Sequence, residues 1–342
     1  MLAPATSLRR RATILVCALC VLALASIVFS TTFGSVPVPL RDMPRALAEL
    51  AGGGEARSLA ATLIDLRLSR ALVAFVTGAA LSLAGVMMQA LLRNPLADPY
   101  VLGISAGASV GALAALMCMC AIWIVDASAF AGAVSVSMML YLFARRDLRG
   151  GTAAEGGTSV LLLTGVILSS ACMAMVTLML SIAPESRLRS MIFWMIGDLA
   201  GSPLRLMPWL VLAGGLLFAL RSARSLNVLA LHAEAAATLG IRVGAVRKGL
   251  FFCSGLLTAS AVTSAGSIGF VGLIVPHALR FACGPDHRLL IPAATLAGGT
   301  FLVLADTLAR TIIAPLQLPV GVVTALIGAP VFLYQLHRLH KS

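Results

Sequence analysis

Residues 67–111 read RLSRALVAFVTGAALSLAGVMMQALLRNPLADPYVLGISAGASVG, and this stretch decides the class of protein. It contains an uncharged run, Ala71–Leu92, which is long enough to cross the roughly 30 Å hydrocarbon core of a membrane. A polar turn bracketed by Pro95 and Pro99 follows, and then a second apolar run that is rich in glycine. The combination is typical of a membrane-embedded transporter and untypical of a soluble enzyme.

The composition of the whole chain also indicates a membrane protein. Hydrophobic residues make up 60% of its 342 residues and charged residues only 11%, whereas charged residues are about 25% of a soluble domain. Because backbone polar groups in lipid must be paired within their own segment, each long apolar run predicts a helix. The runs are Ala12–Phe33, Ala71–Leu92, Pro99–Val125, Ala127–Ala144, Gly156–Pro184, Leu206–Leu220, Gly249–Leu279, Leu289–Ala305 and Thr311–Leu336.

One of these runs, Gly249–Leu279, is long enough for two short helices broken around Ala265–Gly269, which brings the predicted number of spans to ten. With the N-terminus inside, ten spans place 16 of the 25 basic residues on the cytoplasmic side. This bias agrees with the positive-inside rule and predicts that both termini are cytoplasmic. The basic residues are too scattered for a phosphate-tracking patch, so nucleic acid is not expected as a partner.

The N-terminus allows an alternative. Arg9–Arg11 followed by an apolar stretch with small residues is similar to a secretory signal peptide. The uncharged run extends through Phe33, which is longer than the apolar core of most signal peptides and favours a retained first helix. The seven cysteines lie in or beside apolar runs and lack partners at metal-ligand spacing. They are therefore interpreted as small buried hydrophobic residues, and no metal site is expected.

Small residues predict close helix packing. Gly103, Gly107 and Gly111 recur every four residues, which places them on one face of a helix and lets another backbone approach. Asp306 and Arg310 have the same spacing and are expected to pair on one helix face.

Two polar segments look suited to partners. In residues 221–248, Ser225 is a candidate N-cap, Asn227–Leu239 a candidate amphipathic helix and Gly240 a candidate stop. This helix either lies on the lipid surface or docks a cytosolic protein. The predicted outer loop, residues 34–70, carries five arginines: Arg41, Arg45, Arg57, Arg67 and Arg70. They either keep the surface soluble or bind an acidic partner, because a guanidinium group binds a carboxylate through two hydrogen bonds.

Four long segments together resemble the FecCD family of permeases. They are residues 67–109, quoted above; 226–248, LNVLALHAEAAATLGIRVGAVRK; 265–299, AGSIGFVGLIVPHALRFACGPDHRLLIPAATLAGG; and 304–334, LADTLARTIIAPLQLPVGVVTALIGAPVFLY. The family serves ATP-binding-cassette (ABC) importers of iron-siderophores, haem and cobalamin. The resemblance implies an all-α, polytopic type II importer permease: a single domain of ten transmembrane helices with inverted repeats, paired as a homodimer or pseudo-dimer.

The resemblance also implies roles for particular residues. Arg67, Arg70 and Arg310 would meet carboxylates of a periplasmic substrate-binding protein. Residues 145–159 would form a cytoplasmic gate that includes Gly157, Thr158 and Ser159, and the helix that follows would line the pathway. His232 stands where the family commonly has glycine. The segment 226–240 would couple to the ATPase through Leu226, Asn227, Leu229, Leu231, Glu234, Ala235, Leu239 and Gly240.

The chain is expected to be a transport subunit and not itself an enzyme. It has no G-x-x-x-x-G-K-[ST] motif, and its only lysines are Lys248 and Lys341, so ATP and Mg²⁺ are expected in a partner ATPase. The expected location is the bacterial inner membrane, and iron-siderophore ranks first as cargo, with haem and cobalamin as alternatives. An ion-coupled secondary transporter is the alternative class; it would need acids near mid-membrane, and only Asp198 and Asp306 come near.

Overall fold

The computed structural model describes residues 5–51, 58–149, 157–231 and 238–339, which form α-helices joined by short connections. Those ranges contain no strand, and they include 3₁₀ turns at Leu40–Asp42 and Pro99–Leu102. In chain order the helices are α1 (Ala5–Thr32), α2 (Met43–Ala51), α3 (Leu59–Leu92), α4 (Ile104–Met117), α5 (Ile122–Arg149), α6 (Gly157–Ile182), α7 (Glu185–Ile196), α8 (Leu206–Leu231), α9 (Val243–Ala265), α10 (Val271–Cys283), α11 (His287–Thr311) and α12 (Val320–Leu339).

Ten of the described helices are apolar, which agrees with the predicted number of spans. Seven are long enough to cross a membrane, namely α1, α3, α5, α6, α8, α9 and α11, and the shorter three are α4, α10 and α12. The prediction was wrong about Pro99–Val125, which is not one long span. Gly103 (φ +82) precedes the 14-residue α4 and Met119 (φ +56) follows it, so left-handed residues interrupt the run at both ends.

Helix α3 lies at the centre of the bundle, where it packs against α9, α10 and α11. The packing depends on glycine, because a Cβ at Gly78 would collide with the carbonyl oxygen of Gly298, and one at Gly85 with that of Gly272. Backbones approach this closely only where side chains are small. As a result, 89% of the apolar window of α3 is buried inside the protein, against 17% for α6.

The three glycines of the predicted series contact two different helices. Gly107 and Gly111 pack against α5, at Gly132 and Ser128. Gly103 lies outside the helix as the residue before α4, and it packs against α6 instead. The prediction that all three share one helix face was therefore wrong for Gly103.

The predicted break around Ala265–Gly269 is confirmed. Helix α9 ends at Gly266 (φ +70), and α10 begins after Phe270 (φ +71). Polar groups of the α3–α4 region hold this non-helical segment: Ile268 N donates to Tyr100 Oη over 3.0 Å, and the hydroxyls of Ser105 and Ser267 lie 2.7 Å apart. Irregular backbone inside a membrane bundle needs such partners.

Candidate docking and coupling surfaces

One end of the bundle, where α3 begins and α11 finishes, holds a buried carboxylate between two arginines. Asp306 is fully buried, and Arg70 grips it with Nε 3.0 Å from both carboxylate oxygens and Nη2 2.8 Å from Oδ1. Arg310 Nε lies 3.6 Å from Oδ2 of the same residue, which confirms the predicted pair. The Arg70 contact joins positions 236 residues apart, so local spacing could not reveal it. We call this end the docking end.

Two of the predicted docking arginines bind the end of α1. Arg67 is 7% exposed, and its Nη1 donates to Thr32 O over 3.2 Å while Nη2 donates to Val36 O. Arg310 is 4% exposed and donates from Nη2 to the hydroxyl of Ser30 over 2.8 Å and to its carbonyl oxygen. These donors satisfy oxygens at or just past the last turn of α1, which a helix end otherwise leaves unpaired.

The structure therefore brings Arg67, Arg70 and Arg310 together, although they are far apart in sequence. It also gives each of them a partner within the chain, which the sequence did not predict. Arg70 keeps the most accessible position, with 14% of its side chain exposed and Nη1 2.8 Å from Gln317 Oε1. The docking role of the three remains a prediction, and an acidic partner that reaches Arg70 would compete with Asp306 and Gln317. Arg41 and Arg45 are exposed and form surface ion pairs with Asp42 and Glu49.

A cavity of about 480 Å³ opens at the same end of the bundle. Its walls come from the end of α4, the start of α5, α7, the loop before α8 and the end of α9, and they include Phe193 and Trp194. Asp126 and Arg205 line it as an ion pair at 2.5 Å, with Asp198 on the same wall. The sequence did not predict this cavity, because five separate segments build it.

At the opposite end, α8 passes through the predicted start of the coupling helix without a break. Ser225 is therefore an interior residue of α8 and not an N-cap, which corrects the prediction. Leu226 and Leu229 are 1% and 2% exposed, so they pack into the core and do not present a surface to a partner. The amphipathic pattern around residue 227 arose from this internal packing. We call this end, where α8 finishes and α9 begins, the coupling end.

Asn227 joins α8 to the start of α11. Its Nδ2 donates to Asp286 Oδ1 over 2.6 Å, and its Oδ1 accepts from the backbone N of His287 over 2.9 Å. The Oδ1 also lies 2.8 Å from Nδ1 of His287, which is consistent with Nδ1 as the protonated nitrogen. Asp286 in turn caps α11 by accepting from Arg288 N over 2.9 Å. These hydrogen bonds join the end of α8 directly to the start of α11.

The other predicted coupling and gate residues are placed only in part. Leu239 is 70% exposed and Gly240 (φ +78) forms a turn before α9, so the chain does turn at the predicted stop. Glu234, Ala235 and His232 lie outside the described residues, as does the side chain of Leu231. Gly157, Thr158 and Ser159 form the first turn of α6, and their side-chain surroundings are not described.

Asp98 and Asp286 are charged groups in connections outside the spans. Burial raises the pKa of Asp98 to about 6, against the opposing effect of the hydrogen bond from Tyr100 N at 2.8 Å. Partial burial of Asp286 acts in the same direction, but the hydrogen bonds from Arg288 and Asn227 outweigh it and lower its pKa. The cysteines correct a prediction: all seven are free, and none is fully buried.

The helical bundle, its central small-residue packing and its broken α9–α10 pair define a polytopic membrane protein with the fold of an ABC importer permease. The chain belongs to the FecCD transport family, which matches residues 21–338. The resemblance predicted from the four sequence segments is thus confirmed.

Two relatives and one solved structure are close to this chain. It is 41% identical to the vitamin B12 import system permease protein BtuC of Escherichia coli O9:H4 (strain HS), over 81% of this chain and 84% of that protein. It is also 41% identical to the cobalamin import system permease protein BtuC of Halobacterium salinarum, over 79% and 72% of the two chains. The solved structure is an inward-facing protein assigned to the metal-chelate type of ABC transporter, with 28% identity, coverage of 94% and 98%, and a TM-score of 0.81.

Proposed function

We propose that this chain is the permease subunit of an ABC importer that moves a cobalamin-type metal chelate across the inner membrane into the cytoplasm. The observation that supports cobalamin as the cargo is the 41% identity, over most of both chains, to permeases named for vitamin B12 and cobalamin import. Sequence patterns ranked iron-siderophore first. The relatives favour cobalamin, because permeases from two different organisms that match at 41% identity carry that name.

The exposed face of α6 supports a paired permease. Leu163, Ile167 and Leu178 are each 60–62% exposed, and their spacing places them along one side of the helix. An apolar stripe at this position suits a second copy of the chain across a shared pathway. The walls of that pathway would be apolar and would bind the cargo weakly. We propose a homodimer in which α6 of each copy lines the passage.

The energy for transport and the affinity for the cargo are assigned to two separate partner proteins. The chain lacks a phosphate-binding loop, so Mg²⁺-ATP is proposed to bind a cytoplasmic ATPase subunit that acts on the coupling end. A periplasmic substrate-binding protein is proposed to dock at Arg70 and the surrounding docking end, with both termini of the permease in the cytoplasm. Asp306, which the sequence placed near mid-membrane, lies at the docking end and is held by Arg70 and Arg310, which argues against its use as an ion-coupling site.

The cargo is tested by deleting the gene in the organism that encodes this chain and measuring uptake of three radiolabelled compounds. We expect loss of cobalamin uptake and retention of ferric-siderophore and haem uptake, with restoration by the wild-type gene. A second arm inactivates the Walker lysine of the partner ATPase, and uptake should stop although the proton gradient persists. Loss of siderophore uptake alone would overturn the cargo assignment, and ATPase-independent uptake would favour the secondary transporter.

A further inference from the structure

Arg247 is a buried cation with no partner among the described residues. It lies in the second turn of α9 and is 5% exposed, and its Nε is buried without a hydrogen-bond partner in the described ranges. Burying a guanidinium group without a partner is strongly unfavourable, and folded proteins rarely tolerate it. An exposed arginine of the coupling end, such as Arg224, needs no such explanation.

A second positive charge, on Arg93, makes the burial of Arg247 still less favourable. Arg93 follows α3 as its left-handed C-cap (φ +49), and its side chain is exposed. Arg93 ends α3 and Arg247 lies near the start of α9, two helices that pack against each other, so the charge of Arg93 acts on that of Arg247. Within the described residues, neither has an acidic partner. The pair therefore concentrates two like charges at the junction of α3 and α9.

Buried arginines elsewhere in this chain are treated differently. Arg67 and Arg310, at the docking end, bind carbonyl oxygens, a hydroxyl group and a carboxylate. The fold thus supplies hydrogen-bond acceptors for these two buried guanidinium groups. At Arg247 it supplies none, which points to a negative group that comes from another molecule.

The location of the pair decides which molecule can supply that group. Helix α3 is the most buried of the long apolar helices, and it packs against α8, α9, α10 and α11. Arg93 is exposed at the coupling end, and the exposed Leu239 of the predicted coupling segment lies eight residues before Arg247 along the chain.

We propose that Arg93 and Arg247 form a receptor for an acidic side chain of the ATPase partner, seated beside the coupling segment. The proposal rests on the function proposed above and adds the chemistry of the contact. Arginine is suited to it because the guanidinium group binds a carboxylate through two parallel hydrogen bonds. Docking of the ATPase would neutralise the buried charge, so association and stability of the permease are linked.

The test uses the full-length permease in nanodiscs and its purified ATPase subunit. Arg247→Met keeps the length of the side chain and removes its charge. We expect the melting temperature of the permease alone to rise by about 2–4 °C, because an unpaired buried charge is removed. The dissociation constant for the ATPase should rise at least about tenfold. Arg93→Gln should weaken binding by about fivefold, and Arg224→Gln, an exposed control at the same end, by less than about twofold.

The opposite behaviour is equally informative. ATPase binding that is unchanged by Arg247→Met and Arg93→Gln would overturn the proposal, and so would a fall in melting temperature, since that would mean Arg247 has a partner inside the permease. Inorganic phosphate that stabilises the wild-type permease but not Arg247→Met would assign the pair to a free anion. If the wild-type permease failed to bind any ABC ATPase, the proposed function itself would be wrong.

Discussion

At the scale of single residues, the informative groups are charged side chains in an apolar protein. Asp306 lies between Arg70 and Arg310, and Arg67 holds the end of α1. Each pairing offsets a desolvation cost of several kcal/mol. The same arginines would be ordinary surface charges in a soluble protein, and here their first role is to fix α1 against α3 and α11.

Asp98 gives a prediction about pH. Its pKa in the folded protein is about 6, above the ordinary value near 3.8. Between these two pH values the folded state therefore keeps a proton that the unfolded state has released. Stability should therefore fall as pH rises from about 4 to 6 and level off above that. Asp98→Asn keeps an oxygen to accept from Tyr100 N, and we expect it to stabilise the protein at pH 7.5 by up to roughly 3 kcal/mol.

Thermal melts at pH 5, 6 and 7.5 measure this effect. The difference between Asp98→Asn and wild type should be largest at pH 7.5 and should shrink at pH 5. Asp42→Asn, which removes a carboxylate with 49% of its side chain exposed, is the control for the loss of an acid at the surface. An Asp98→Asn variant that is less stable than wild type at pH 7.5 would show that the ionised carboxylate stabilises the fold.

At the scale of elements, the helix contacts depend on where side chains are absent. Helix α3 can meet α10 and α11 only because Gly85, Gly272, Gly78 and Gly298 leave room for backbone contact. The same small-residue pattern at Gly107 and Gly111 joins α4 to α5. In lipid, where apolar burial between helices contributes little, this closeness is the main source of association.

We predict that Gly85→Val prevents correct packing of α3. The new Cβ would collide with the carbonyl oxygen of Gly272, and neither backbone can move without disturbing the α9–α10 break. The loss should exceed about 3 kcal/mol, the upper range for overpacked cores, and should be seen as aggregated material in size-exclusion chromatography. Gly214→Val is the control, because nothing lies within 4 Å of a Cβ there. Equal monodisperse yields of the two variants would contradict the close packing.

At the scale of the whole molecule, the two ends of the bundle have different roles. The docking end holds the arginine–aspartate network and the cavity, and the coupling end holds the Asn227 junction and the Arg93–Arg247 pair. Asn227 and Asp286 connect α8 with α11, and α11 carries Asp306 and Arg310 to the opposite end. One helix therefore links the two surfaces at which partners are proposed to act.

The orientation of the whole molecule is a further prediction. In a cysteine-free background, Arg41→Cys should react with a membrane-impermeant maleimide on intact spheroplasts, because it lies in the predicted outer loop and is exposed. Arg224→Cys, exposed at the coupling end, should react only after permeabilisation. The native cysteines must be replaced first, since all seven are free. Labelling of position 224 but not 41 on intact spheroplasts would reverse the topology.

The sequence by itself determined the all-helical class, the number of apolar helices, the α9–α10 break and the family. These features are local: a run of some 20 apolar residues has only one way to satisfy its backbone in lipid, and a motif is read in order along the chain. The Asp306–Arg310 pair is also a local feature and was predictable, because the two residues are four positions apart on one helix.

Only the tertiary structure decided the partners of distant groups. It placed Arg70 on Asp306, buried Arg67 against α1, merged residues 226–231 into α8 and assembled the cavity from five segments. Leu226 looked like part of a docking helix because an apolar face has the same pattern whether it meets a partner or the core. Burial and pairing depend on which helices meet, and helix contacts between positions more than 200 residues apart leave no periodic signal in the chain.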